Sequence, residues 1–578
     1  MTFLSLEQIP DQHAYDVIVV GGGGAGLAAA LFAALAKQRV LLIERTEFLG
    51  GTTALSGATT WVPNSLHASK VNPHDTPEAA RAFLDGVVGN HAPSALREAF
   101  LAQGPHAIAM LEQQSHVRFR PYPHHPDYEQ QIDGATTCGR ALEPLPFDGR
   151  LLGEALSVIR PPIPEFTIFG GMMVDRTDIG HLLNLTKKWT SLRHAARILS
   201  LYGLDLLRGS RRGSRLVMGN ALIGRLLYSL MAHPVDFMLN THVERLVSEG
   251  ERVTGLVAQQ AGVTRKLLAR AGVILAAGGF NHHPQKRTSL LRSPVTNYSP
   301  AAPGHTGSMQ DLALALGAHF AEGGADHVFW APVSVRKRSD GSTAVFPHFV
   351  MDRSKPGTVC VNQKGERFTN EAQSYHLFVR AMLEADKTTP TVPAFIVTDA
   401  RGLHQYGLGM VRMGTKNLDP FIADGYLLQG HSIAELAAQM GADAATLTKT
   451  LADMNHFAET GVDPQFGRGT TAYHRANGDA GFEGPNPCLG PIAVAPFYAV
   501  RLYPGDIGAA SGLAINAQAQ VLREGGHPIQ GLYACGNEAQ SIAGGTYPGP
   551  GITLGPALTF AYCAIQHCLA DPSGAAHV

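Results

Sequence analysis

Tyr15-Asp16-Val17-Ile18-Val19-Val20-Gly21-Gly22-Gly23-Gly24-Ala25-Gly26 decides the fold class. The first six residues form a short apolar, β-branched run, the pattern of a strand buried on both faces of a parallel sheet. Gly21, Gly23 and Gly26 then keep a G-x-G-x-x-G spacing. Side chains there would block a tight turn, the approach of a pyrophosphate, and the packing of a helix on the strand. The helix formers that follow (LAAALFAALA) predict a helix whose positive end, opened by Gly24 and Ala25, faces phosphate. A second strand, Arg39 to Ile43, ends in Glu44, 18 residues after Gly26, which can accept hydrogen bonds from ribose hydroxyls, with Arg45 beside it. Together these predict a Rossmann-like α/β domain and a dinucleotide without a 2′-phosphate.

The bulk composition fits an enzyme with a large buried cleft. The chain has 578 residues, 45% hydrophobic and 16% charged, which predicts two or three domains. Lys plus Arg (46) nearly balances Asp plus Glu (47), so no global field draws nucleic acid, and a small molecule is the expected partner. The six cysteines form no C-x-x-C pair, so neither a metal site nor a disulfide framework is expected. The N-terminal residues lack a basic start followed by an apolar run, and no stretch of about 18 apolar residues occurs. A cytoplasmic location is the expectation.

Soon after Glu44, Phe48 to Gly57 gathers Gly51, Thr52, Thr53, Ser56 and Gly57, a segment whose backbone could lie against a flat ring. It resembles the flavin-approaching loop of the fumarate reductase and ketosteroid dehydrogenase superfamily, which implies FAD, held non-covalently, rather than NAD. Near the other end, Gly531 to Asn537 reads as a strand closing in a turn and is similar to that superfamily's second FAD motif. It implies Gly536 and Asn537 as cofactor residues, Asn537 on the ribityl chain. Gly551, Thr553 and Leu554 open a closing helix whose positive end could face the pyrimidine edge of the flavin.

Because the two halves of one site lie about 500 residues apart in the sequence, the FAD domain is expected to be discontinuous, 1–280 and 491–578. An α+β substrate-capping domain, 281–490, is inserted between them, with a helix around Ile433 to Glu459. Val235–Leu239, Val253–Val257 and Val273–Phe280 read as a meander returning to the nucleotide sheet, where Ala277 and Gly278 would end the first instalment. Residues 187–225 carry nine Lys or Arg against one acid, Asp205, with Leu, Ile and Trp189 between them. A solvated amphipathic helix is the plain reading; peripheral contact with a membrane, or with an apolar substrate, is the sharper one.

Tyr547-Pro548-Gly549-Pro550-Gly551 carries the chemistry. Its prolines fix the backbone between a phenol and an amide, so the Tyr547 hydroxyl and the Gly551 N–H could converge on one carbonyl oxygen. With Ile552-Thr553-Leu554-Gly555-Pro556, Gly50 to Gly57, Gly139 to Pro144 and Arg367-Phe368-Thr369-Asn370-Glu371, it resembles the 3-ketosteroid Δ1-dehydrogenases over nearly the whole chain. The resemblance implies Tyr375 as the base that takes a proton from carbon 2 of a steroid, while hydride leaves carbon 1 for flavin N5, with Tyr128 in support. This chain reads Asp127-Tyr128-Glu129 where the family usually has two tyrosines and a proline. Near neutral pH a phenol needs a neighbouring phenol or a positive helix end to serve as base. A steroid or similar apolar ketone is the implied substrate, and the electron acceptor is left open. Alternatives within the fold are a 3-keto-5α-steroid Δ4-dehydrogenase and a fumarate-reductase-like enzyme acting on another enone or a dicarboxylate; outside enzymes, a flavin-holding sensor.

Overall fold

The computed structural model describes residues 1–185, 188–322, 324–349 and 352–570. Lys187, which begins the basic stretch, and residues 571–578, which end the expected cofactor domain, lie outside the described residues. The β-branched run forms strand His13–Val20, flanked in parallel by Val40–Ile43 on one side and by Val263–Leu275 on the other. Val17 pairs with Val40 and Gly272, and Val20 with Ile43 and Leu275, so the glycine turn leaves the middle of the sheet between two parallel neighbours. This is the sheet edge where doubly wound folds bind ligands.

Helix Gly24–Leu35 is buried from Gly24 to Ala34. An all-apolar helix of small residues suits that position. It is enclosed by the sheet, by helix Met218–Leu230 and by the closing helix Leu554–Ala570. The chain returns to the same sheet in Pro528–Ala534, which lies parallel to Val263–Leu275 with Leu532 opposite Val273 and Ala534 opposite Leu275. Residues from both ends of the sequence thus line one sheet edge.

Two expectations are corrected. Val235–Met238 does not belong to the meander: it pairs in parallel with Val40–Ile43 on the far side of the sheet. The antiparallel strands are His242–Glu249, Arg252–Gln260 and the first half of Val263–Leu275. His242–Glu249 is exposed or partly exposed at six of its eight positions, and its polar sequence hides it from a search for apolar runs. Phe497–Ala509, expected in the second instalment of the cofactor domain, is instead central to a second, antiparallel sheet, between Val328–Lys337 and Ala394–Asp399. It is buried at ten of its thirteen positions, as heavily as the nucleotide strands, so its apolar character does not tell which sheet it joins.

Around the second sheet pack helix Tyr375–Asp386 and the pair Ile433–Met440 and Ala444–Thr460, which Gly441 separates at φ 73°. Most of its apolar residues form cores separate from that of the nucleotide sheet, while Phe329 and Ala331 pack into the latter.

The glycines of the first turn have different duties. A Cβ at Gly26 would lie 1.8 Å from the Gly21 carbonyl oxygen, and one at Gly21 would lie 2.3 Å from that of Ala276. At Gly23 a Cβ would meet nothing within 4 Å. Gly26→Ala should therefore cost on the order of 3 kcal/mol and lower the melting temperature of cofactor-free protein, while Gly23→Ala leaves it unchanged. Equal melting of both variants would contradict this division.

Candidate active site

The Tyr547 loop is seated by unusually close backbone approaches. Gly551 adopts φ 93°, and a Cβ there would lie 2.2 Å from the Thr59 carbonyl oxygen; at Gly549 it would lie 2.7 Å from Trp61 Nε1. The Trp61 N–H donates to the Gly551 carbonyl at 3.2 Å. Among the described residues, the Gly551 N–H has no acceptor in the chain. The Tyr128 N–H donates to the Pro548 carbonyl at 2.9 Å, binding the Asp127-Tyr128 segment to the loop.

That segment is held in turn by buried charge. Trp61 Nε1 donates to Asp127 at 2.8 Å, and Arg140 pairs with Asp127 at 2.9 Å and with Asp75 at 2.6 Å. Burial pushes the Asp127 carboxyl up to about 6 against the pull of Arg140. A guanidinium shared by two carboxylates in a desolvated site depends on both, and removing one partner of such a pair typically costs roughly 3–5 kcal/mol.

The three tyrosines singled out in the sequence meet. Tyr128 OH donates to Tyr375 OH at 3.2 Å. The ring of Tyr547 stacks on Tyr128, centroids 5.5 Å apart, and meets Tyr375 edge-on at 5.1 Å. Tyr473, which no motif marked, is a fourth member, 4.7 Å from Tyr128, and Phe329 and Phe349 complete the aromatic wall. Tyr375 is the first residue of its helix, capped by Ser374, so its phenol leaves the helix end toward the other rings. Burial raises all four phenols above the ordinary tyrosine range, and Tyr128 and Tyr547 add to the effect on Tyr375. The supporting neighbours expected for Tyr375 are present, but they do not bring its proton within reach of neutral pH by themselves.

The cofactor candidates surround the starts of the two long helices. A Cβ at Gly24 would lie 2.6 Å from Thr53 Oγ1 and 3.2 Å from Leu554 Cδ1; one at Gly536 would lie 3.0 Å from Ala25 Cβ. Gly23, Gly51, Thr53, Gly536 and Leu554 thereby frame one cradle where two positive helix ends approach. Glu44 accepts from the Gly22 N–H at 2.8 Å and from the Thr46 N–H and hydroxyl. Ala277 leads into Gly278 and Gly279 at φ 95° and 89°, and Gly279 packs on the Asn537 carbonyl. Thr553 stands close enough to the Tyr547 hydroxyl to lower it against the effect of burial, which links the cradle to the tyrosines.

Other candidates are engaged within the chain. The Ser56 hydroxyl donates to the Thr53 carbonyl, the Arg45 guanidinium bonds Thr306, and a Cβ at Gly57 would have only Thr59 Oγ1 near it. Two residues escaped the sequence reading. His305 lies between Thr52 Oγ1 at 3.3 Å and Gly278, and burial lowers it to about 3, so it is neutral. Glu538 is buried beneath the Ala277 to Gly279 amides, and burial raises it to about 7. Glu538 follows directly on Asn537, but His305 has no sequence signal.

The cradle suits FAD on its own features: Gly23 leaves room where a side chain would intrude, and the Gly551 amide is an unused donor at the mouth. Residues 16–554 match the family model described as FAD binding domain. The chain is 33% identical to a 3-oxosteroid 1-dehydrogenase of Mycobacterium tuberculosis over 573 residues, 97% of this chain and 99% of that one. It is 34% identical to a 4-oxocyclohex-2-ene-1-carboxylate 5-dehydrogenase of Sinomonas cyclohexanicum over 556 residues, 95% of this chain and 93% of that one. A crystal structure of 3-ketosteroid delta1-dehydrogenase from Sterolibacterium denitrificans in complex with 1,4-androstadiene-3,17-dione superposes with TM-score 0.90 and 33% identity, covering 97% of this chain and all of that one.

The burial of Tyr375 has a spectroscopic consequence. An ultraviolet difference titration of wild type against Tyr375→Phe should reveal no tyrosinate assignable to Tyr375 up to pH 10, since its neutral form is favoured. A tyrosinate band lost in the variant below about pH 9 would show that the cluster stabilises the anion instead. These features together make the chain a member of the FAD-binding family of 3-ketosteroid Δ1-dehydrogenases.

Proposed function

We propose that the chain dehydrogenates a 3-ketosteroid, introducing a double bond between carbons 1 and 2. The observation that carries this reading is the convergence of Tyr128, Tyr375 and Tyr547 beside the unpaired Gly551 amide. In it, the Tyr547 hydroxyl and the Gly551 N–H donate to the ketone oxygen and stabilise the charge that gathers there as carbon 2 loses its proton. Each such donor is worth roughly 3–4 kcal/mol of barrier. Tyr375 takes the proton on its phenolate oxygen, the reactive form left once its own hydroxyl proton has passed to water. Polarisation of the ketone lowers the acidity gap that burial of Tyr375 widens, and Tyr128 donates to Tyr375 as its charge changes. FAD, when bound, supplies the hydride acceptor. The residues that would hold it are Gly21, Gly23 to Gly26, Glu44, Gly51 to Thr53, Ala277, Gly278, Gly536, Asn537, Thr553 and Leu554.

The wall of the site favours a steroid over a small ring ketone bearing a carboxylate. Such an acid calls for an arginine or lysine facing it. The nearby buried arginines are committed elsewhere: Arg353 donates to the His348 and Glu371 carbonyls, and Arg468 to the Thr358 carbonyl while pairing with Glu371. We also propose the division into a cofactor domain and an inserted capping domain, the return to the former following Ala509, because Phe497–Ala509 pairs wholly within the second sheet.

Anaerobic mixing with androstenedione should bleach the flavin and yield the 1,4-diene, and turnover with an artificial electron acceptor should follow. Tyr547→Phe and Tyr375→Phe should each keep their FAD and lose activity by a factor on the order of 10²–10⁴. Loss of FAD in these variants, or a product with its new double bond elsewhere, would overturn the reading.

Peripheral contact with an anionic membrane surface is the second proposal, and it concerns the basic segment. Helix Trp189–Leu207 buries Ser191, Ala195, Ile198, Tyr202 and Asp205, while Trp189, Leu192, Leu199, Leu206 and Leu207 are exposed. Lys188, Arg193, Arg197 and Arg208 stand exposed among them, and the helix's one acid is buried. An exposed apolar stripe with basic flanks fits the boundary of anionic lipid. Among the described residues no helix is long and apolar enough to cross a membrane. The protein should co-sediment with phosphatidylglycerol vesicles, weakly with phosphatidylcholine alone, and Leu199→Glu with Leu207→Glu should abolish this without changing activity on dispersed steroid. Equal sedimentation of wild type and double variant would contradict it.

A further inference from the structure

Beside the tyrosine cluster lies a buried charged group that the chemistry above leaves unused. Asp326 is 3% exposed and stands where four segments meet. One carboxylate oxygen accepts from Arg292 Nε at 2.5 Å and from Trp330 Nε1 at 3.0 Å. The other faces Arg380 Nε at 3.2 Å and His376 Nε2 at 3.6 Å. Neither that oxygen nor His376 Nε2 has a hydrogen-bond partner, although both are buried.

His376 follows Tyr375 on the same helix and is fully buried. Its Nδ1 accepts the Trp330 N–H at 3.1 Å, so the proton of the neutral ring is assigned to Nε2, the atom facing Asp326. Burial, with Arg380 and Arg292 nearby, lowers the ring to about 3 and keeps it neutral. Its centroid lies 6.1 Å from that of Tyr547.

The main chain of Asp326 also grips the loop that leads into Tyr547. A Cβ at Gly545 would lie 1.9 Å from the Asp326 carbonyl oxygen, and the Ala325 N–H donates to the Gly544 carbonyl at 2.7 Å. Asp326 therefore touches the run before Tyr547 through its backbone, and the helix that begins with Tyr375 through its carboxylate. Strand Val328–Lys337, which carries Trp330 and Phe329, is the third party, and Phe329 packs edge-on to Tyr547 at 5.2 Å.

We propose that Asp326, acting through His376, is a positioning residue that sets the separation of Tyr547 from Tyr375. The inference rests on the reading of those two tyrosines as ketone donor and base. Its physical basis is reach: a donor and a base must meet two adjacent atoms of one rigid ring, and misplacement by about 1 Å can cost on the order of a hundredfold. A carboxylate between two arginines and a neutral imidazole resists such a shift because moving it uncovers buried charge.

A double-mutant cycle tests it. Asp326→Asn is combined with Tyr547→Phe in FAD-loaded protein, reading kcat, KM and the affinity for the dienone product by equilibrium dialysis. Asp326→Asn should lower kcat/KM roughly 10- to 100-fold and weaken product binding when Tyr547 is present, but by less than about threefold in the Tyr547→Phe background, because coupled residues are not additive. The same loss in both backgrounds would overturn the positioning role and leave the ketone clamp standing. If Tyr547→Phe alone kept full activity, the clamp itself would fail. Should Asp326→Asn not fold, His376→Gln goes through the same cycle, and additivity there overturns the inference equally.

Discussion

The hydrogen bond from the Tyr128 N–H to the Pro548 carbonyl joins an early segment of the chain to a late one, and the site is built around it. It brings the phenol of Tyr128 beside that of Tyr547 because each tyrosine is adjacent to a fixed residue. Asp127 is locked by Trp61 and Arg140, and Pro548 by its ring and by Gly549 against Trp61. The bond is possible because strands Val263–Leu275 and Pro528–Ala534 lie side by side, returning the late chain to the sheet that the early chain began. The geometry of the catalytic cluster thus follows from the topology of the nucleotide sheet.

Electrostatics then decides what the cluster can do. Four phenols packed together without a carboxylate or ammonium among them stay neutral, since burial disfavours each anion. Neutral phenols are hydrogen-bond donors, which is what a ketone requires. A phenol that must also act as base needs its proton affinity matched from the substrate side, through a carbonyl polarised by two donors. The cluster is suited to a ketone and poorly suited to a carboxylate, and the commitment of Arg353 and Arg468 to carbonyls and to Glu371 points the same way. Only Tyr473 has a cation, Arg353, acting to lower it, and even there burial prevails.

The legible parts of the sequence were those where one residue type has one physical use. The glycine turn, the β-branched strand before it and the Tyr-Pro-Gly-Pro-Gly loop all restrict the backbone locally, so spacing alone located them. Residues whose role depends on distant neighbours were not legible. Tyr473 sits on a short helix with no motif around it, His305 reaches the Thr52 loop across the fold, and Asp326 is one acid among many. The strand misassignments have the same origin. Val235–Met238 has the apolar character of any buried strand, so its partner could not be inferred, and Phe497–Ala509 belongs to the second sheet through pairings that sequence does not reveal. Arg45 and Ser56 lie where cofactor residues were expected, but their side chains bond within the chain.

The vibrational spectrum of a bound dienone probes the ketone clamp most directly. With the 3-carbonyl carbon labelled and the product held on the oxidised protein, its stretch should move to lower frequency than in water, and part of that shift should vanish in Tyr547→Phe. A carbonyl frequency equal to that in an apolar solvent, unchanged by the substitution, would mean that neither the phenol nor the Gly551 amide reaches the ketone.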